Sequence, residues 1–174
     1  MKNYVLKVAF ALLIGCVASK ATTAQFKRPH VLIGGNVSYN NPQGNFANLY
    51  KFGAGGEVFA GIGFSKTYLV GTLGIADFIG NNENSYGNLI YKPIKIGIRQ
   101  FLFSNKIFLN ADMGNAYIKD KTMSNSESKF TTGVGAGARL FGLEASLYYN
   151  SFKAAHQGGF SNAVQYKVGW SMTL

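Results

Sequence analysis

Charge is what this sequence has least of. Asp, Glu, Lys and Arg make up 14% of its 174 residues, against about 25% in an ordinary soluble domain. The surface is therefore either unusually apolar or not in water. Acids are the scarcer sign: none precedes Glu57 and none follows Glu144. Cys16 is the single cysteine, so a disulfide framework is excluded. His30 and His156 stand far apart with no Cys or acid cluster at ligand spacing, so no metal site is expected. After residue 25 there is no run of about 18 apolar residues, which removes a membrane-spanning helix from the body of the chain.

What is there begins with a secretory pattern. Lys2 and Lys7 form a charged start, Val8 to Gly15 an apolar core, and Thr22-Thr23-Ala24 a small-residue site. Residues 1–24 read as a signal peptide cut before Gln25, leaving 25–174 as one domain. Leu13-Ile14-Gly15-Cys16 resembles the lipobox of bacterial lipoproteins, in which the cysteine is acylated; the competing reading makes Cys16 a small apolar residue of the signal core. Loss of Lys2, Lys7 and Lys20 takes the formal charge from +10 to +7. A basic chain often meets nucleic acid, but for an exported one no nucleic acid is expected, and acidic lipid headgroups are the natural partner.

Apolar residues then alternate with small or polar ones through the whole remaining chain. Eight strands are expected: His30–Tyr39, Phe52–Phe64, Thr67–Ile79, Leu89–Phe101, Lys106–Ile118, Phe130–Leu140, Leu143–Phe152 and the tail Val164–Leu174. The third does not distinguish its two faces. In the tail, Val164, Tyr166, Val168, Trp170, Met172 and Leu174 share one face to the last residue. A bare apolar edge strand is an aggregation hazard in water, but a closing strand in a membrane barrel is not. Connections alternate in length: Ser65-Lys66, Leu102–Asn105 and Phe141-Gly142 are short, while Asn40–Lys51, Gly80–Asn88, Lys119–Lys129 and Lys153–Asn162 are long. Short turns at one end and long loops at the other belong to an eight-stranded antiparallel up-and-down transmembrane β-barrel.

A soluble lipocalin-like binding barrel has the same strand count but its apolar face inside. Charge separates the two, because no strand here carries more than two charges on its polar face, too few for a solvated exterior. The strand charges are Glu57, Asp77, Lys95, Arg99, Asp112, Arg139, Glu144 and Lys167, four of each sign. Eight strands leave an interior that side chains just fill, and an unpaired buried charge costs several kcal/mol. These residues are expected to form an internal ion-pair plug rather than line a porin-like channel. Aromatic residues near strand ends (Tyr39, Phe52, Phe64, Tyr68, Phe78, Phe101, Tyr117, Phe130, Tyr149, Phe152, Tyr166, Trp170) are expected in interfacial girdles. Lys51, Lys92, Lys119, Lys121, Lys129 and Lys153 at the loop end outnumber Glu83, Asp120 and Glu127; that basic rim suits lipopolysaccharide phosphates, or is simply solvated.

Gly53-Ala54-Gly55-Gly56 and Gly133-Val134-Gly135-Ala136-Gly137 are not phosphate loops, since neither precedes a helix pattern or ends in Gly-Lys-Ser/Thr. Lumen-facing glycine explains them. His156, Ser161 and Asn162 raise the question of a nucleophile pair. Small-barrel lipid A deacylases carry His-x-Ser-Asn with a downstream Glu; here the spacing is His156-Gln-Gly-Gly-Phe-Ser161-Asn162 and no acid follows, so no enzyme is expected.

Pro93-Ile94-Lys95-Ile96-Gly97-Ile98-Arg99-Gln100-Phe101, then Ile107 to Gly114 after a turn, resembles the P-x-x-x-G-x-R-aromatic … G hairpin of bacterial outer-membrane β-barrel-domain proteins. Thr132 to Arg139 and Leu143 to Tyr149 continue the resemblance. It implies a place in the cell outer membrane and recognition by the barrel-assembly machinery, but no single activity; the external ligand stays open, and no cofactor is expected. The family's terminal residue is usually Phe or Trp. Here it is Leu174, leaving Tyr166 and Trp170 as the aromatic part of the assembly signal.

Overall fold

Period-two patterning becomes strand over most of the described residues. The computed structural model describes residues 28–81, 87–120, 126–153 and 159–174; the expected signal peptide with Cys16, and Glu83, Lys121 and His156, lie outside them. The strands are β1 (His30–Gln43), β2 (Tyr50–Phe64), β3 (Thr67–Gly80), β4 (Leu89–Leu102), β5 (Ile107–Asp120), β6 (Ser126–Leu140), β7 (Leu143–Lys153) and β8 (Phe160–Thr173). One short helix, α1 (Asn45–Leu49), joins β1 to β2. Each strand pairs antiparallel with the next, and β8 returns to β1 to close an eight-stranded barrel.

Closure removes the exposed edge that made the tail anomalous. Val37 pairs with Val168 and Tyr39 with Tyr166. The Val31 amide donates to the Leu174 carbonyl at 3.0 Å, and the Leu174 amide to the Val31 carbonyl at 2.8 Å. The final residue is thus held in the seam.

The loops are shorter than their sequence suggested. β1 runs on to Gln43, and β5 and β6 extend to Asp120 and back to Ser126. A tilted strand crosses a bilayer in about 9–11 residues, so most of these strands project past any apolar band, and polar stretches that read as loop continue the ladder. At the other end, Phe141 and Gly142 have φ of 51° and 87°, the positive pair a two-residue hairpin turn requires. In β4 the ladder to β3 skips from Ile94 to Tyr91. Pro93 sits in that gap, with no amide hydrogen to give.

The third strand resolves cleanly. Tyr68, Val70, Ala76 and Phe78 are buried, while Leu69, Leu73, Ile75 and Ile79 are exposed. Even-numbered positions of β3 therefore face the lumen.

Candidate functional site: the barrel interior and its rims

The barrel is apolar outside and charged inside. Val37, Val58, Ile94, Ile96, Ile98, Val134, Leu147, Tyr166 and Val168 all point outward, with Val168 61% exposed. In water this belt would far exceed the few hundred Å² of contiguous apolar surface that soluble monomers tolerate. The soluble lipocalin-like alternative requires the opposite polarity.

Successive inward residues of β4 show the layering of the lumen. From the loop end they are Leu89, Tyr91, Pro93, Lys95, Gly97, Arg99 and Phe101: apolar, then charged, then apolar again. At the loop end α1 tucks Phe46 into the mouth, edge-on to Phe78 and Phe152 at centroid distances of 5.1 and 5.3 Å. Below it the Tyr91 hydroxyl meets Thr131 Oγ1 at 2.7 Å and accepts from Asn150 Nδ2 at 3.0 Å.

The charged layer has two centres. In the first, Lys167 Nζ lies 2.6 Å from Glu57 Oε2, and Lys95 Nζ lies 3.6 Å from Glu57 Oε1 and 3.5 Å from Asp112 Oδ2. Both ammonium groups also sit over the Tyr148 ring, 4.8 Å (Lys95) and 4.1 Å (Lys167) from its centroid. In the second, Arg99 Nη1 donates to Glu144 Oε1 and Oε2 at 3.0 and 3.1 Å, and its Nε donates to Asn110 Oδ1 at 2.9 Å. The guanidinium is sandwiched between Phe59 and Phe108, 4.3 and 4.5 Å from their centroids. Ser171 Oγ donates to Glu144 as well. Fixed opposite charges at these distances offset the desolvation each would suffer alone. The space left beside them is about 30 Å³, lined in part by Asn36, Asp112 and Tyr148, which is room for about two waters.

Glycine makes this packing fit. A Cβ on Gly133 or Gly135 would run into the Tyr148 ring, and one on Gly137 would meet Phe108. The glycine run of β6 is a recess for inward aromatic rings.

Two of the eight expected lumen charges stand apart. Asp77 is on the outward face of β3, opposite Ala54 and Ile90, because β3 turns its even-numbered residues inward. Arg139 keeps lumen parity but lies at the turn-end mouth. It donates to Ser171 Oγ at 3.4 Å and Thr173 Oγ1 at 3.2 Å and stacks on Phe101, without a carboxylate partner among the described residues. Glu144 belongs to Arg99 instead. The six that come together, Glu57, Asp112 and Glu144 with Lys95, Arg99 and Lys167, still cancel in sign.

The girdle expectation needs the same sorting. Tyr39, Phe52, Phe64, Tyr117, Phe130, Tyr149, Tyr166 and Trp170 do face outward. Tyr68, Phe78, Phe101 and Phe152 are buried in the two apolar ends of the lumen. A narrow barrel ends its interior with rings, so an aromatic residue near a strand end has two destinations. Sequence reasoning missed this inner set and Phe46; strand parity counted from Lys95 and Arg99 finds Phe101.

Of the residues weighed for catalysis, Ser161 is buried facing inward, while parity puts Asn162 on the other face. Among the described residues no group of three or more His, Cys, Asp or Glu is placed to hold a metal ion. Lys51, Lys92, Lys119, Lys129 and Lys153 all lie at the loop end, where Lys129 pairs with Glu127 at 2.7 Å.

A closed eight-stranded antiparallel barrel with an apolar exterior and charged side chains within defines the class: this is the fold of the small outer-membrane β-barrels. Solved structures agree. The Yersinia pestis outer membrane protein Ail in a phospholipid nanodisc aligns with TM-score 0.52 and 14% identity, over 80% of this chain and 99% of Ail. Neisserial surface protein A, NspA, aligns with TM-score 0.55 and 9% identity, over 82% of this chain and 96% of NspA. At such identities the likeness carries the fold and nothing finer. No protein-family model and no curated protein sequence matches the chain.

Proposed function

We propose that this chain is an integral protein of the cell outer membrane with a filled, non-conducting lumen, acting as a structural or surface-interaction element through its loop-end rim. The observation that carries the reading is the inverted polarity: a predominantly apolar exterior around a balanced ion-pair interior. On this reading residues 1–24 direct export and are removed. Tyr166, Trp170 and Leu174 form the segment read by the barrel-assembly machinery, and both mature termini lie on the periplasmic side with the short turns. The lysines at the opposite rim then meet outer-leaflet lipopolysaccharide, whose phosphates supply the missing negative charge.

No catalytic role is assigned to His156 or Ser161; loss of lipid A acyl chains dependent on either residue would reverse that. The test of the main reading is fractionation with a heat-shift gel. The protein is expected in the outer-membrane fraction, migrating differently before and after boiling. Recovery in the soluble periplasmic fraction without detergent would overturn it. For the lumen, planar-bilayer recording is expected to show no steady current, and a stable porin-like conductance would refute the plug.

A further inference from the structure

The turn end of the barrel wall is notched. β8 stays paired with β1 as far as Thr173, opposite Leu32. Its pairing with β7 stops at Trp170, opposite Leu143. The Ser171 amide still reaches the Gly142 carbonyl at 2.8 Å, and beyond it the last residues overhang the β6–β7 turn. The notch opens into a groove of about 500 Å³ between the β4–β5 turn, the β6–β7 turn and the end of β8. Arg139, Ser171 and Thr173 from the lumen side line the same space as Leu140, Trp170 and Met172 from the outward side. A molecule seated there touches the barrel mouth and the lipid-facing surface together.

Two basic side chains and, among the described residues, no acidic side chain line the groove. Among the described residues Arg139 is hydrogen-bonded to two neutral hydroxyls, and Lys106 stands beside it in the lining. The inward acids are engaged elsewhere, Glu57 and Asp112 by the two lysines and Glu144 by Arg99. Glu127 is at the opposite end of β6. Among the described residues no acidic side chain is left to pair with Arg139, so the site is open to an anion from outside.

The flanking turns point to a membrane source. Phe141 is 94% exposed and Phe103 73% exposed, each in the left-handed region, with φ of 51° and 42°. A bulky residue at positive φ costs backbone energy wherever the turn lies, so its retention calls for something that favours the exposed ring. Aromatic rings are stabilised at the level of lipid headgroups.

We propose that this groove binds the headgroup of an anionic phospholipid in the adjacent leaflet. The phosphate diester lies against Arg139 and Lys106, and the acyl chains run along Leu140, Trp170 and Met172. Ser171 and Thr173 hold the guanidinium in place from its inner side. This rests on the membrane reading above, and the experiment separates the two.

Trp170 is the only tryptophan in the chain, so it reports on its own groove. The full mature chain is placed in phosphatidylcholine nanodiscs containing a small fraction of phosphatidylglycerol with brominated acyl chains, and Trp170 quenching is read. Quenching is expected to exceed the brominated mole fraction by about fivefold per cationic contact. Arg139→Gln and Lys106→Gln are each expected to lower that excess, and together to abolish it. Arg139→Lys retains most of it, and Lys66→Gln, on another turn at the same end, leaves it unchanged. Lys106 is exposed, so its variant reads the site even if Arg139→Gln folds poorly. Quenching that tracks mole fraction in the unaltered protein overturns the proposal, as does excess quenching indifferent to both substitutions. An acidic peptide that perturbs Trp170 while the lipid stays at mole fraction makes the occupant a soluble partner and also overturns it. Failure of the chain to enter the nanodisc contradicts the membrane reading instead.

Discussion

Lys167 of the last strand reaches past β1 to Glu57 of β2, with Nζ 2.6 Å from Oε2. The contact lies inside the barrel and spans the seam where β8 closes on β1. The residue that the tail turns inward is therefore tied to the far side of the closure, 110 positions back in the chain. Lys167→Ala leaves Glu57, among the described residues, with the longer contact to Lys95 as its remaining ion pair, and removing one member of a buried pair costs roughly 3–5 kcal/mol. Urea titrations in lipid vesicles, followed by the gel shift between folded and unfolded forms, are expected to show that loss. Glu57→Gln combined with Lys167→Met is expected to lose less than the sum of the two single changes; strict additivity would mean the pair does not couple.

The two lumen arginines are expected to behave differently. Arg99→Ala strips Glu144 of both guanidinium contacts and empties the slot between Phe59 and Phe108. Arg139→Ala removes only contacts to hydroxyls at the mouth, together with stacking on Phe101. The first should destabilise more by about 2 kcal/mol or greater, since it leaves a buried carboxylate exposed to an apolar wall. Equal urea midpoints for the two variants would contradict the pairing described here.

Glycine in β6 is required for volume. Gly135→Val places a branched side chain against the Tyr148 ring and the Leu147 carbonyl, and overpacking of this kind typically costs about 1–3 kcal/mol. Gly71 has much more room, its nearest approach being 3.9 Å to the Ala60 carbonyl. Gly71→Val is expected to be tolerated in the same refolding assay, so the comparison isolates the space beneath Tyr148.

Much of this is readable from the sequence, and what is not has three physical causes. Alternation located every strand because outward residues such as Ile94, Ile96 and Ile98 contrast with Lys95, Gly97 and Arg99. The contrast fades where the lumen itself becomes apolar. In β3 the inward set includes Val70, Ala76 and Phe78 while the outward set includes Gly71 and Asp77, so hydropathy alone gives no face. Phe101 and Phe152 misled in the same way, being interior rings at the ends of a closed barrel. The strand ends were also obscured: Asn40 to Gln43 carries loop-like residues, yet its backbone is held in the ladder to β8. Which cation meets Glu144 is a matter of reach across the lumen, and linear spacing does not encode it. Arg139 is its register partner on β6, but Arg99 from β4 makes the contact.

The export reading makes its own prediction. If the signal is cut after Ala24, intact mass spectrometry of the membrane-extracted protein gives a chain beginning at Gln25 and carrying no cysteine. A mass that includes Cys16 with acyl chains would show that the lipobox-like sequence is used instead.

The inverted polarity of the wall is tested most directly by spin labels placed one at a time along β8 of the bilayer-reconstituted protein, at Gln165, Tyr166, Lys167 and Val168. Each label is probed for collision with oxygen and with a water-soluble nickel reagent. Tyr166 and Val168 are expected to be accessible to oxygen and closed to nickel. Gln165 and Lys167, buried at 2% and 7% exposure, are expected to be immobile and closed to both. High nickel accessibility at Tyr166 and Val168 would put the apolar face in water and contradict the account.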